Sequence, residues 1–231
     1  MKVDIGIIGA LSEEVSGLID MLAKPMREVV SGIEFYVGKL FDKSVAVARC
    51  GVGKVFAAMC AEAMIVRYSP ELIINTGVGG ALASGIKAGD IIVADKLCQH
   101  DMDTSPLGDP KGLISGINVI YMNSDERAVK LLLDAGEKLD YKVSSGTVAS
   151  GDRFVADRKD KTAIAEAFGA SVCEMEGAAV AQVAYVNKIP FVVIRAISDS
   201  ADGDAGMDYM TFLPIAAERS GSLTLELIKS Y

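Results

Sequence analysis

The sequence predicts an α/β protein, a single-domain three-layer sandwich around a central mixed sheet, and three observations carry that reading. Short apolar runs rich in β-branched residues alternate with stretches of helical periodicity from end to end, the order of a repeated βα unit. Those runs are nearly continuous in apolar residues, as strands buried on both faces are. A chain of 231 residues with 51% hydrophobic and 23% charged residues is folded. A chain of that length buries about 70% of its unfolded surface, enough for one core over residues 1–231 with no linker.

In chain order, residues 3–8 read as the first strand and 11–23 as the first helix. At 33–40, Ile, Phe, Val and Leu alternate with Glu, Tyr, Gly and Lys, an antiparallel insertion. Further strands are expected at 45–48, 71–75, 90–93, 145–149 and 191–197, and helices at 54–68, 124–139, 159–168, 176–187 and 208–229. The helix at 124–139 offers Asn123-x-x-Glu126 as a capping box, with Ala128, Leu132, Ala135 and Leu139 as its apolar stripe. His100 to Gly116, with two prolines and three glycines, reads as a long surface loop, and Ser200 to Gly206 as a polar loop directly after a strand. Ligands in open α/β sheets sit outside the carboxyl ends of strands, so both loops are expected to wall a site.

Charge and cysteine usage narrow the partners. The chain carries 23 Lys+Arg against 31 Asp+Glu, a net charge of −8, and its basic residues form no run. Nucleic acid and anionic membrane are therefore excluded as expected partners, because both require clustered cations. Cys50, Cys60, Cys98 and Cys173 form no C-x-x-C pair and His100 is the only histidine, so neither a metal site nor a cofactor is expected. The cysteines sit in apolar segments and read as small buried hydrophobes in a reducing compartment. Met1 to Gly9 is a strand pattern rather than a signal peptide and no apolar run reaches about 18 residues, so a cytoplasmic location is expected.

Polar groups at the ends of apolar strands are the candidates for chemistry, since burying them without purpose is costly. Glu13 and Glu14 follow the strand–helix junction at Gly9; acids there also simply complement a helix dipole. Glu174 and Glu176 flank Met175 where a strand meets an Ala-rich helix. Arg195 and Asp199 end an apolar strand, and strict alternation places them on one side, where a plain ion pair is the simplest reading. Thr76 to Ala81, including Gly79 and Gly80, reads as a Gly-rich turn able to bring backbone close to a ligand. It fits a dinucleotide fingerprint poorly, and Gly51-Val52-Gly53-Lys54 is not a P-loop. His100 is expected to serve its own loop. Carboxylates from three segments, one arginine and Ser150 to Val155 amount to equipment for acid/base work on a neutral hydroxylated substrate.

These motifs, Gly6-Ile7-Ile8-Gly9-Ala10 with Glu13-Glu14-Val15, Ile74-Asn75-Thr76-Gly77, Ser150-Gly151-Asp152 with Phe154, Glu174-Met175-Glu176 and Arg195 to Asp199, resemble in order those of the methylthioadenosine/S-adenosylhomocysteine nucleosidase family of the nucleoside phosphorylase superfamily. The resemblance runs over essentially the whole chain. It implies hydrolysis of an adenine nucleoside, with Asp199 as general acid to N7 of the base and Glu14 activating the attacking water near Arg195. Glu176 would hold the ribose hydroxyls beside Met175, Phe154 would stack on adenine, the Val155 backbone would read its edge, and Gly79 and Gly80 would line the base pocket. Val78 stands where the family usually has Ser. Thr104 and Leu107 fall where a neighbouring subunit covers the 5′-alkylthio group, and Tyr209 where Phe is common, which implies a homodimer. The other readings are a phosphate-dependent purine nucleoside phosphorylase, which Glu13 and Glu14 disfavour by repelling a dianion, and a non-catalytic nucleoside-binding protein, for which three site carboxylates have no use.

Overall fold

The computed structural model describes residues 1–199 and 205–231, with side chains up to Asp199 and from residue 211 onward. The expected loop at Ser200 to Gly206 falls mostly on 200–204, and Tyr209 among the side chains at 205–210; both lie outside the described residues. In chain order the elements are β1 (Ile5–Gly9), α1 (Ser12–Asp20), β2 (Ala23–Val30), β3 (Ile33–Leu40), β4 (Lys43–Arg49), α2 (Lys54–Tyr68), β5 (Leu72–Ala81), β6 (Ile91–Gln99), β7 (Met122–Asn123), α3 (Glu126–Lys138), β8 (Val143–Ser150), α4 (Arg158–Phe168), β9 (Ala170–Glu174), α5 (Gly177–Asn187), β10 (Phe191–Asp199) and α6 (Ala205–Ser230). The expected helices are all present, most displaced by a few residues at their ends.

One mixed sheet runs through the molecule in the order β10-β6-β8-β9-β5-β1-β4-β3-β2, and β5 also pairs with β10. Strands β10, β6, β8, β9 and β5 therefore close on one another, while β1, β4, β3 and β2 extend from β5 as an open wing. Helices cover both faces because the strands are apolar on both. On one side Val15, Leu18, Ala128, Leu132, Leu223 and Leu227 of α1, α3 and α6 pack on Ile5, Ile7 and Ile74. On the other, Ala57, Cys60 and Met64 of α2 and Val180 and Ala184 of α5 pack on Ile8, Ile73 and Val193. All four cysteines are buried and free. Among the described residues no helix is long and apolar enough to cross a membrane.

Several expectations are corrected. The first helix stops at Asp20, and residues 23–30 form a strand that periodicity does not show, because β2 is a mostly exposed edge strand with Pro25 at its irregular end. Thr76 to Ala81 is not a turn but the second half of β5, held between β10 on one side and β9 on the other. Its glycines serve close approach by side chains, as the site below requires. Strand β6 continues past Val93 to Gln99 through a register shift at Ala94–Leu97, so the polar pair Asp95-Lys96 interrupts the apolar run without ending the strand. Helix α3 is capped by Asp125, whose carboxylate accepts the Ala128 N–H at 2.8 Å, rather than by Asn123, which lies in β7.

The cap assignment predicts that Asp125→Ala lowers stability by about 1 kcal/mol in urea denaturation, whereas Asn123→Ala changes the midpoint little.

Candidate active site

The carboxyl ends of β1, β9 and β10 and the second half of β5 converge on one apolar-walled cavity. Glu14 reaches it from the third position of α1. Gly9 makes the strand-to-helix turn tight: a Cβ there would lie 2.6 Å from Val15. The Glu14 side chain folds back, so that Oε2 accepts the N–H groups of Ala10 (2.7 Å) and Leu11 (2.9 Å) and Oε1 that of Val78 (3.1 Å). Gly77 leaves room for it, since a Cβ at that position would stand 2.5 Å from Oε1. Burial pushes the Glu14 carboxyl above its ordinary value, opposed by the Arg195 guanidinium and the three N–H donors. Glu13, the other acid of the expected pair, is exposed and takes no part.

Glu174 and Glu176 have different tasks. Glu174 Oε2 accepts the N–H groups of Glu176 (2.9 Å) and Gly177 (2.7 Å), closing the N-terminus of α5, and the Ser150 hydroxyl donates to Oε1. Arg195, 1% exposed, donates to the same Oε2 and to Asn75 Oδ1, and Asn75 in turn donates to the Ile8 carbonyl at 2.9 Å. Burial alone would raise the Glu174 carboxyl, but Arg195 and the donors outweigh it and hold it below the ordinary range. Glu176 projects into the cavity, its Oε1 accepting the Gly53 N–H at 2.8 Å; burial, reinforced by the Glu174 charge, pushes it up to about 7.

The expected Arg195–Asp199 pair does not form. A register shift between Ile197 and Asp199 breaks the alternation of β10, and Arg195 turns to Glu174 behind the cavity wall. Asp199 pairs instead with Lys161 of α4, Nζ to Oδ2 at 2.9 Å, and accepts the Ser198 hydroxyl on Oδ1 at 3.0 Å. Gly80 packs against this carboxylate, where a Cβ would lie 3.0 Å from Oδ2.

A model of the phosphorylase superfamily matches residues 4–229. The chain is 38% identical over 225 residues to the 5′-methylthioadenosine/S-adenosylhomocysteine nucleosidase of Haemophilus influenzae (strain PittEE), over 97% of this chain and 98% of that one. The chain belongs to this nucleosidase family of the phosphorylase superfamily. Among solved structures it is similar to the nucleosidase of Neisseria meningitidis in complex with methylthio-immucillin-A, with a TM-score of 0.95 and 32% identity over 99% of both chains. It is similar also to the futalosine hydrolase of Helicobacter pylori strain 26695, with a TM-score of 0.94 and 31% identity over 99% of this chain and 98% of that one.

Of the positions that the family resemblance singled out, Glu14, Gly79, Gly80, Phe154, Val155, Met175, Glu176 and Asp199 line the cavity. Arg195 stands behind its wall. Thr104 and Leu107 lie away from it, the Thr104 hydroxyl donating to Asp109 at 2.8 Å and Leu107 83% exposed in a short 3-10 turn. His100 packs its ring against Gly151, and burial lowers its proton affinity, consistent with service to its own segment. Sequence reasoning missed Lys161, which sits in a polar helix and reads as a surface lysine, and gave Glu174 no task distinct from that of Glu176.

The Glu176 carboxyl stands at about 7 in the folded chain against an ordinary 4.5, so it favours folding most below pH 4.5 and that contribution is lost as pH rises to about 7. Glu176→Gln should flatten this part of the stability–pH curve, as followed by urea denaturation from pH 4 to 8.

Proposed function

We propose that the chain hydrolyses the N-glycosidic bond of 5′-methylthioadenosine and S-adenosylhomocysteine, releasing adenine and the thioribose, as one domain over residues 1–231. The observation that carries this reading is the convergence of Glu14, Glu176 and Asp199 on one apolar cavity. Arg153 lines the same cavity but is engaged with Asp160 at the surface, and Arg195 is committed to Glu174. Among the described residues a phosphate dianion would meet Glu14 without a cation turned toward it, so water is the nucleophile and phosphorolysis is disfavoured.

The roles are those the family resemblance implies, and the lining of the cavity supports them. Asp199 hands a proton to N7 as the C1′–N9 electron pair leaves with the base, and Glu14 takes a proton from the water that attacks C1′. Burial brings Glu14 closer to neutrality, which suits a general base. The Arg195 charge opposes that burial, keeping the carboxylate available. Glu176 binds the ribose hydroxyls beside Met175. Phe154, half-exposed at the mouth, stacks on adenine, the Val155 backbone reads its edge, and Gly79 and Gly80 form the floor. Val78 in place of the family's usual Ser is tolerated because its contribution to Glu14 is made by the backbone N–H.

A second copy of the chain completes the site in this reading. Val55, Phe56, Met59 and Val66 of α2 are exposed, as are Val52 before it and Tyr185 and Val186 of α5, packed against it. Such a row is what a homodimer covers, and the partner's Thr104 and Leu107 would then close the 5′ side. Free buried thiols fit the reducing cytoplasm.

In phosphate-free buffer the protein should release adenine from both nucleosides, detected by chromatography; dependence on added phosphate would overturn hydrolysis. Asp199→Asn should lower kcat by roughly 10²–10⁴. Sedimentation equilibrium should return about twice the chain mass of 24.3 kDa. The same adenine assay with 6-amino-6-deoxyfutalosine reports whether the 5′ side admits a bulkier group.

A further inference from the structure

Lys161 is one of the most deeply buried charged side chains among the described residues, at 2% exposure. It lies in the first turn of α4, while its neighbours Arg158 and Lys159 are exposed. Its side chain and that of Asp199 are 3% and 4% exposed, with Nζ 2.9 Å from Oδ2. Stability does not explain this placement. Desolvating an ammonium is expensive, a cation near a helix N-terminus opposes the dipole, and an apolar residue of similar volume would hold a buried site as well or better.

The chemistry of its partner does explain it. We propose that Lys161 is a positioning residue that acts through Asp199, holding one carboxylate oxygen in place and stabilising the charge that forms on it as its proton passes to the departing base. This rests on the reading of Asp199 as general acid. As the C1′–N9 bond breaks, the Asp199 O–H bond breaks and an N7–H bond forms; Lys161 keeps all its protons and faces the carboxylate left behind. Negative charge grows on Asp199 in the transition state, where a fixed cation stabilises it without reorganisation. Without Lys161 the carboxylate left behind would face the cavity walled by Gly79, Gly80, Val155 and Cys173 without the ammonium that bonds it here.

The other groups around Asp199 do not substitute for it. Ser198 from β10 donates a neutral hydroxyl, and Cys173 from β9 offers a thiol that burial keeps protonated. The Glu14, Glu174 and Glu176 carboxyls around the same cavity make a negative charge less favourable, and Arg153 is turned to Asp160. Among the described residues, Lys161 is the cation that bonds this carboxylate directly.

The test is the kcat of Lys161→Met and Lys161→Arg on two substrates. One is 5′-methylthioadenosine, whose base leaves with a proton on N7; the other is the 4-nitrophenyl glycoside of 5-methylthioribose, whose leaving group departs unprotonated. On the nucleoside, Lys161→Met should lose roughly 10-fold in kcat, because the carboxylate formed in the transition state loses the cation that faces it. The nitrophenyl glycoside should be cleaved at the wild-type rate, and Lys161→Arg should restore most of the wild-type kcat on the nucleoside. Both substrates are measured on one preparation, so partial misfolding cancels in their ratio. An unchanged kcat on the nucleoside, or an equal loss on both substrates, overturns the role of Lys161. Failure of the wild-type chain to release adenine would instead overturn the reading of the reaction.

Discussion

The site depends on one buried ion pair, Arg195 with Glu174. Neither charge is solvated, so each must be satisfied by protein groups, and the groups that do so lie on four elements. Arg195 draws in Asn75 of β5, Asn75 holds the Ile8 carbonyl of β1, and Glu174 closes the N-terminus of α5 while accepting from Ser150 of β8. Removing either partner would leave an uncompensated charge at the junction of the closed strands and the open wing. The pair therefore constrains where β1, β5, β8 and β10 end relative to one another, and the cavity lies at those ends.

Glycine does the complementary work on β5. A strand packed on both edges leaves no space above it for carboxylates unless side chains are missing, and Gly77 and Gly80 supply that space to Glu14 and Asp199 respectively. Three glutamates within one cavity then differ through their surroundings. Glu14 is raised by burial, Glu174 is held low chiefly by Arg195, and Glu176 is pushed to about 7 by burial beside a second negative charge. One residue type thus takes three different electrostatic states within one cavity.

Much of this was legible in the sequence. Alternation from residue 33 is reproduced by Ile33, Phe35 and Val37 in one core, while Leu40 falls out of the alternation into the core on the opposite face; Glu14, Glu176 and Asp199 stand in the cavity. What escaped was of two kinds. Exposed β2 buries too little to leave a periodic trace, and glycines in a strand look like a turn because the signal for both is the absent side chain. Pairings formed the other group: alternation favoured Arg195 with Asp199, and only the register shift in β10 releases each to a different partner.

The order of strands and helices, the burial of the sheet on both faces and the candidate polar residues at the strand ends were determined by the sequence alone, because each is written in local periodicity or in polar residues interrupting apolar runs. The tertiary structure decided which cation meets which carboxylate, that Lys161 is buried, and that Gly53 and Val78 offer their N–H groups to glutamates 123 and 64 residues away. Those contacts depend on strand register and helix packing across the molecule. A short-range pattern carries no record of either.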